Sequence, residues 1–217
     1  MTRREAPRGP VGVGSTRGGD DGLTMRSEII RKAIHVTSVT LPLLVWILPR
    51  EHGLILLGSG LLAALIVEWA RSQVRWARYH FLARTRHLLR SRERKGVSGA
   101  TYMVLAYFLV LLVLPKSLAI VAMLYGAFGD ASAALVGKRW GRHRTRWGKS
   151  FEGYAAGFVV NVAVGFVVPE VPPAAAIIGG LGAATFEFLP LPFDDNVRVT
   201  LGGGLAAWAG LLLAGAG

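Results

Sequence analysis

Long apolar runs alternate with short, mostly basic segments along this chain, and that alternation is what most restricts how it can fold. A bilayer's hydrocarbon core is about 30 Å thick and takes about 20 helical residues to cross, with about 17 as the usual lower limit. Seven runs approach or reach that length, at residues 29–48, 53–70, 99–114, 118–136, 154–168, 173–189 and 197–213. The third and fifth are short. Pro115 and Pro169 stop runs, and Pro172 and Pro173 open the sixth, positions where proline suits helix ends. The pattern predicts an all-α, polytopic integral membrane helix bundle of about seven transmembrane helices.

Basic residues orient the bundle. They crowd before the first run (from Arg3 to Lys32), between the second and third (Arg71 to Lys95), between the fourth and fifth (Lys138 to Lys149), and at Arg198. The intervening loops hold only Arg50 and Lys116. Cytoplasmic loops carry the excess of Lys and Arg, so the N-terminus is expected inside and the C-terminus outside. A net charge of +12 would point to nucleic acid in a soluble protein, but 52% of these residues are hydrophobic. The charge is better matched to anionic headgroups or an anionic substrate, and no nucleic-acid partner is expected. The chain has no cysteine, which removes disulfides, thiolate metal sites and cysteine nucleophiles.

Residues 1–26 form a Gly-, Arg- and Pro-rich segment without apolar periodicity, read as a disordered basic tail, and 27–217 as the transmembrane catalytic domain. No apolar stretch in the tail resembles a signal peptide. The loop at 71–98 mixes arginines with Trp76, Tyr79, Phe81 and Leu82. As one helix it would put Arg71, Arg75 and Arg78 on a stripe, and it is expected to lie amphipathically on the cytoplasmic face.

Four polar clusters belong to that face. In the first, Glu28, Arg31, Lys32 and His35 share one side of a helix at i, i+3, i+4 and i+7. Snorkelling of Arg31 and Lys32 to the interface is the commoner fate of such a pair, whereas His35 lies inside the run and needs a polar partner. In the second, Asp130 precedes Lys138 by eight residues, so it sits roughly 12 Å inside that end of its helix. A carboxylate at such a depth is costly unless paired or bound to a metal, and is a functional candidate by default. Gly129, Gly137 and the alanines around it permit close approach of a helix or a ligand.

The third cluster is Lys149-Ser150-Phe151-Glu152-Gly153. Its Gly-Lys-Ser core lacks the preceding glycine and strand of a Walker A loop, since His143 stands where that glycine is needed. Two readings stay open: a phosphate site made by Lys149 beside a helix N-terminus, or an N-cap at Ser150 with an inside-positive lysine. The fourth is Glu187, then Asp194, Asp195 and Asn196 behind two prolines. A turn and a helix cap are the default for the last three, and oxygen ligands on a sharp turn also suit Mg²⁺. Glu68 and Glu187 approach the same cytoplasmic ends and could join one polar cavity. Carboxylates for a metal, cations for phosphate and glycines for close approach are the parts of phosphoryl transfer.

Taken in order, Glu28-x-x-Arg-Lys-x-x-His35, Gly129-Asp130 with Gly137, Lys149-Ser-x-Glu152-Gly153 and Asp195-Asn196 resemble the dolichol kinase, phytol kinase and CTP-dependent diacylglycerol kinase family. That family is in turn similar to phosphatidate cytidylyltransferases. The resemblance covers about residue 27 to the C-terminus. It implies that Arg31, Lys32, Asp130 and Gly137 occupy positions needed for activity, and that CTP is the donor to a lipid alcohol. On this reading Asp130, Arg31, Lys32 and His35 are catalytic, and Lys149, Ser150, Gly137, Lys138 and Gly129 bind nucleotide. Asp130, Asp194, Asp195 and Asn196 hold Mg²⁺, while Glu28, Glu152 and Glu187 are further polar candidates. One departure is the absence of a proline shortly after Asp195-Asn196. A cytidylyltransferase is the nearest rival reading. A transporter fits less well, because the charges gather at one surface rather than at the midplane, and a scaffold has no use for Asp130. Apolar pockets separate lipid chain lengths weakly, so the pattern names no single alcohol.

Overall fold

In the computed structural model, which describes residue 30 and residues 37–85, 89, 93 and 96–215, the chain is all-helical. Among the described residues no strand forms, and Arg144 and Ser150 make one isolated antiparallel bridge within a loop. The helices are α1 (Thr40–Ile47), α2 (Arg50–Gln73), α3 (Arg75–Thr85), α4 (Gly99–Val113), α5 (Lys116–Leu124), α6 (Asp130–Trp140), α7 (Phe151–Val167), α8 (Pro173–Phe188) and α9 (Asp195–Gly215). A π-helical turn at Tyr125–Gly129 joins α5 to α6 in one rod. Each of the seven apolar runs falls on a helix, the first of them described only over α1. Glu28, Arg31, Lys32, His35 and the basic tail lie outside the described residues.

Local chemistry explains the ends. Pro49, Pro115 and Pro172 immediately precede α2, α5 and α8, where a missing N–H costs nothing. Ser98 and Ser150 cap α4 and α7, accepting from the backbone N–H groups of Thr101 and Gly153 at 3.4 and 3.1 Å. Among the described residues three helices are long and apolar enough to cross a bilayer, namely Arg50–Gln73, Lys116–Trp140 and Asp195–Gly215. Gly99–Val113, Phe151–Val167 and Pro173–Phe188 are apolar but shorter.

The α5–α6 rod runs through the middle, and every residue from Leu118 to Leu124 is buried. Tyr107, Val110 and Leu111 of α4, Leu114 just after it, Val45 of α1, Leu57 of α2, Ala183 of α8 and Val199 of α9 close around it. α9 packs on α8, α8 on α7 and α7 on α6, while α2 packs on α4. α2 is peripheral, with Ile55, Leu62, Leu65, Ile66 and Trp69 exposed. Such a stripe would be a liability in water and is an ordinary lipid-facing surface in a bilayer.

Lipid gives apolar side chains no reason to associate, so helices in a membrane are held by close packing of small residues and by hydrogen bonds. The seam between α6 and α7 shows this. A Cβ on Gly153 would stand 2.6 Å from the Ala133 carbonyl oxygen, and one on Gly137 would stand 2.8 Å from Ser150 Oγ. Gly153→Ala is therefore expected to destabilise the bundle by about 1–3 kcal/mol, the usual cost of overpacking. A lowered thermal midpoint in detergent checks it, and an unchanged midpoint would mean that this seam is looser than described.

The two ends of the bundle differ in chemistry. At one end Lys116 Nζ donates to the carbonyls of Trp46 and Leu48 at 2.9 and 2.7 Å, and Arg50 donates to Leu112 O at 3.1 Å. Both cations of the base-poor loops thus cap helix C-termini. The opposite end gathers Glu68, Ser98, Lys149, Glu187 and Asn196. There the single amphipathic helix expected over 71–98 is interrupted. Val74 is extended and ends α2, so Arg71 belongs to α2 while Arg75 and Arg78 begin α3. The three arginines do not share a stripe: Arg71 turns inward and is buried.

Candidate active site

Asp130 opens α6 directly after the π-turn and is 8% exposed, as buried as its depth in the sequence implied. The turn is lined with glycine for contact with neighbouring helices. A Cβ on Gly129 would fall 2.1 Å from Asn161 Oδ1 of α7, and one on Gly126 would fall 2.5 Å from Thr200 Oγ1 of α9. Asn161 and Thr200 are fully buried, and among the described residues neither of those oxygens has a hydrogen-bond partner. Unsatisfied buried acceptors are costly and call for a partner, whether water or ligand.

The loop between α6 and α7 folds back as a tight turn. Gly148 adopts φ +88°, a left-handed conformation open to glycine. Arg144 ties the loop down, donating to Gly137 O at 2.7 Å and to Gly148 O at 3.2 Å. Glu152 accepts from the His143 backbone N–H at 3.1 Å and pairs with His143 Nδ1 at 2.7 Å. Trp147 Nε1 donates to Phe188 O at 2.9 Å, fastening the turn to the end of α8. The N-terminus of α7 is occupied from within the chain: Phe151 N donates to His143 O and Gly153 N to Ser150 Oγ. Ser150 therefore acts as a cap, and Lys149 is the group this segment sends into the interior.

Lys149 Nζ forms an ion pair with the buried carboxylate of Glu187 on α8. Burial opposes its charge, but the fields of Glu187, Asp130 and Asp195 more than offset that and hold the ammonium above its ordinary pKa. Carboxylates from α6, α8 and α9 thus converge electrostatically on one lysine. Asp195 also pairs with Arg198 at 2.5 Å, and the buried Arg198 guanidinium donates to Leu189 O as well.

The remaining candidates separate. Asp194 Oδ1 accepts from Asn196 N at 3.0 Å, an Asx turn at the start of α9, and Asn196 Nδ2 donates to Gly99 O at 3.0 Å. Lys138 lies exposed in the last turn of α6. Gly129 and Gly137 face Asn161 and Ser150, so in this arrangement their missing side chains serve helix approach. Glu68 stands apart from the cluster. It accepts from Ser98 N at 2.9 Å and Thr101 Oγ1 at 3.0 Å and pairs with Arg71, latching α2 to the start of α4.

Among the described residues no three His, Asp or Glu side chains are arranged to hold a metal ion. Magnesium does not require that. It usually takes one or two carboxylates and fills its shell with water and substrate phosphate, which leaves Asp130 and Asp195, whose charges act on Lys149, as candidate oxygen donors. Sequence reasoning missed Asn161, Thr200 and Arg198 as members of this region. Arg198 stands three residues after Asp195, the spacing of an ion pair on a helix, and Asn161 is a lone amide in an apolar run.

No family model matches the chain, and no solved structure matches it. It is 39% identical over 108 residues to the phytol kinase of Synechocystis sp., a stretch covering 44% of this chain and 45% of that protein. The chain thus matches less than half the length of this curated relative. An uncharacterized protein of Rickettsia prowazekii is 28% identical over 184 residues, covering 79% of this chain and 88% of its own length.

Proposed function

We propose that the chain is a CTP-dependent lipid kinase, moving the γ-phosphate of CTP to the hydroxyl of a membrane alcohol such as a polyprenol, phytol or diacylglycerol. The carrying observation is the buried Lys149–Glu187 ion pair at one end of an apolar helix bundle, with the charges of Asp130 and Asp195 acting on the same lysine. The partial similarity to a phytol kinase supports the same class of acceptor.

In this reading the hydroxyl oxygen of the lipid attacks the γ-phosphorus, the bond to the β-phosphate oxygen breaks, and CDP leaves. The hydroxyl proton passes to solvent or to a carboxylate of the cluster. Lys149 exchanges Glu187 for the phosphates and neutralises charge that builds up on them. Ser150 and Arg144 fix the turn from which Lys149 projects. Asp130 and Asp195, with the nucleotide phosphates, would hold Mg²⁺, which supplies charge neutralisation and orientation when bound. Arg31, Lys32 and His35 complete the catalytic set by the motif resemblance and lie outside the described residues.

We further infer seven spans with the N-terminus and the site on the cytoplasmic side, as the distribution of basic loops requires. Cysteines placed at positions 143 and 194 of this cysteine-free chain should both react from the cytoplasmic face. Labelling from opposite faces would sink a shared site.

Isotope placement tests the chemistry. With γ-labelled CTP the label is expected in the lipid fraction and CDP in solution, while α-label stays in water. Entry of α-label into lipid with release of pyrophosphate would instead make the protein a cytidylyltransferase.

A further inference from the structure

We infer that a cleft beside the bundle, whose lining includes none of the Lys149 cluster, binds the headgroup of one anionic phospholipid. The cleft measures about 380 Å³ and lies between the end of α2, the inner side of α3 and residues 96–97. That volume is in the range of sites for small molecules, roughly 300–1,000 Å³. The inference does not depend on the phosphoryl-transfer reading, since Glu68 and Arg71 of this cleft belong to the α2 latch.

Charge selects the class of ligand. Glu68 neutralises Arg71, whose other donors go to the carbonyls of Glu93 and Gly96. Arg78 also lines the cleft, and among the described residues its guanidinium has no hydrogen bond or ion pair. Among the described residues that line the cleft, Arg78 is thus the cation left without a counter-charge, which suits an anion. A zwitterionic headgroup would bring its own cation against Arg78.

Apolar surface selects a lipid over a free anion. Trp69 of α2 and Phe81 and Leu82 of α3 supply apolar lining, and Arg71 stacks over the Phe81 ring at 4.8 Å. Trp69 is also the end of the exposed Leu62, Ile66 and Trp69 stripe on α2, spaced four and three residues apart along one helix face. An acyl chain lying on that stripe leads its headgroup into the cleft. Exposed Trp76 and Tyr79 on α3 put this level of the molecule at the headgroup boundary, where such aromatics concentrate.

The test uses the full chain purified in detergent, with retained lipid counted by native mass spectrometry after mixing with phosphatidylglycerol or phosphatidylcholine. Phosphatidylglycerol should be retained preferentially as a single adduct. Arg78→Gln should lower its retention about fivefold, the effect of one basic side chain near a lipid surface, and Arg78→Lys should largely keep it. Arg84→Gln, on the same helix but outside the cleft, should leave retention unchanged. Equal retention of phosphatidylcholine, or an equal loss in Arg84→Gln, would reduce the effect to general surface attraction and overturn the site. Displacement of the lipid by CTP or pyrophosphate would overturn it too, by making the cleft a soluble-phosphate site.

Discussion

Asp130→Asn is expected to lower kcat/KM by at least about 10²–10³-fold, the scale on which a single electrostatic contributor to a transition state is worth. The protein should remain inserted and folded. Asparagine keeps the shape of the side chain, and Glu187 and Asp195 remain to offset the Lys149 charge, so stability should change little. What disappears is one of the carboxylates acting on Lys149 and the oxygen anion proposed for the metal. Turnover of purified variant with labelled CTP and a panel of lipid alcohols measures the loss, and the thermal midpoint reports folding. Substantial turnover in a well-folded variant would show that Asp130 serves only the architecture.

The Lys149–Glu187 pair requires a pair of substitutions, because structure and chemistry are mixed in one lysine. Lys149→Ala alone should reduce kcat/KM by about 10²-fold, chiefly through the KM for CTP, by removing a phosphate ligand. It should also cost about 1–3 kcal/mol of stability, since the Glu187 side chain is 6% exposed and loses its cation. Adding Glu187→Gln removes the stranded charge, so the double variant should regain most of the lost stability and none of the activity. Recovery of turnover along with stability would mean that Lys149 acts only as a counter-ion.

Much of the architecture was legible because hydropathy and proline placement act locally. The run at 173–189 appears as Pro173–Phe188, and the run at 197–213 as Asp195–Gly215, with the starting turn built by Asp194. What was not legible depends on partners distant in sequence. Arg71 looked like part of a basic stripe, yet Glu68, Glu93 O and Gly96 O draw it inward, contacts that no helical periodicity reports. Gly129 and Gly137 carried a signal for close approach, but the signal is the same whether a helix or a nucleotide approaches; in the fold the neighbours are Asn161 and Ser150. Glu187 was one of several acidic residues near a helix end until the turn at 141–150 brought Lys149 to it from 38 residues away. Asp130 was the clearest exception, since a lone carboxylate deep in an apolar run stands out without any knowledge of its neighbours.

The π-turn at Tyr125–Gly129 has a consequence for phase. Each residue of an α-helix advances about 100° around the axis, so one extra residue in a turn resets the angular address of everything after it. Upstream of the reset, α5 is buried on all sides from Leu118 to Leu124. Downstream, α6 aims Ala133 and Gly137 at α7, in line with Gly129 at the end of the turn, and buries Asp130. Removing one residue from the turn would leave the rod intact but rotate α6 by about a quarter of a circle or more, swinging the carboxylate off its bearing while every apolar run kept its length. The rod thus works like an indexed shaft, with the position of its one acidic tooth set by a single residue of backbone rather than by any side chain around it.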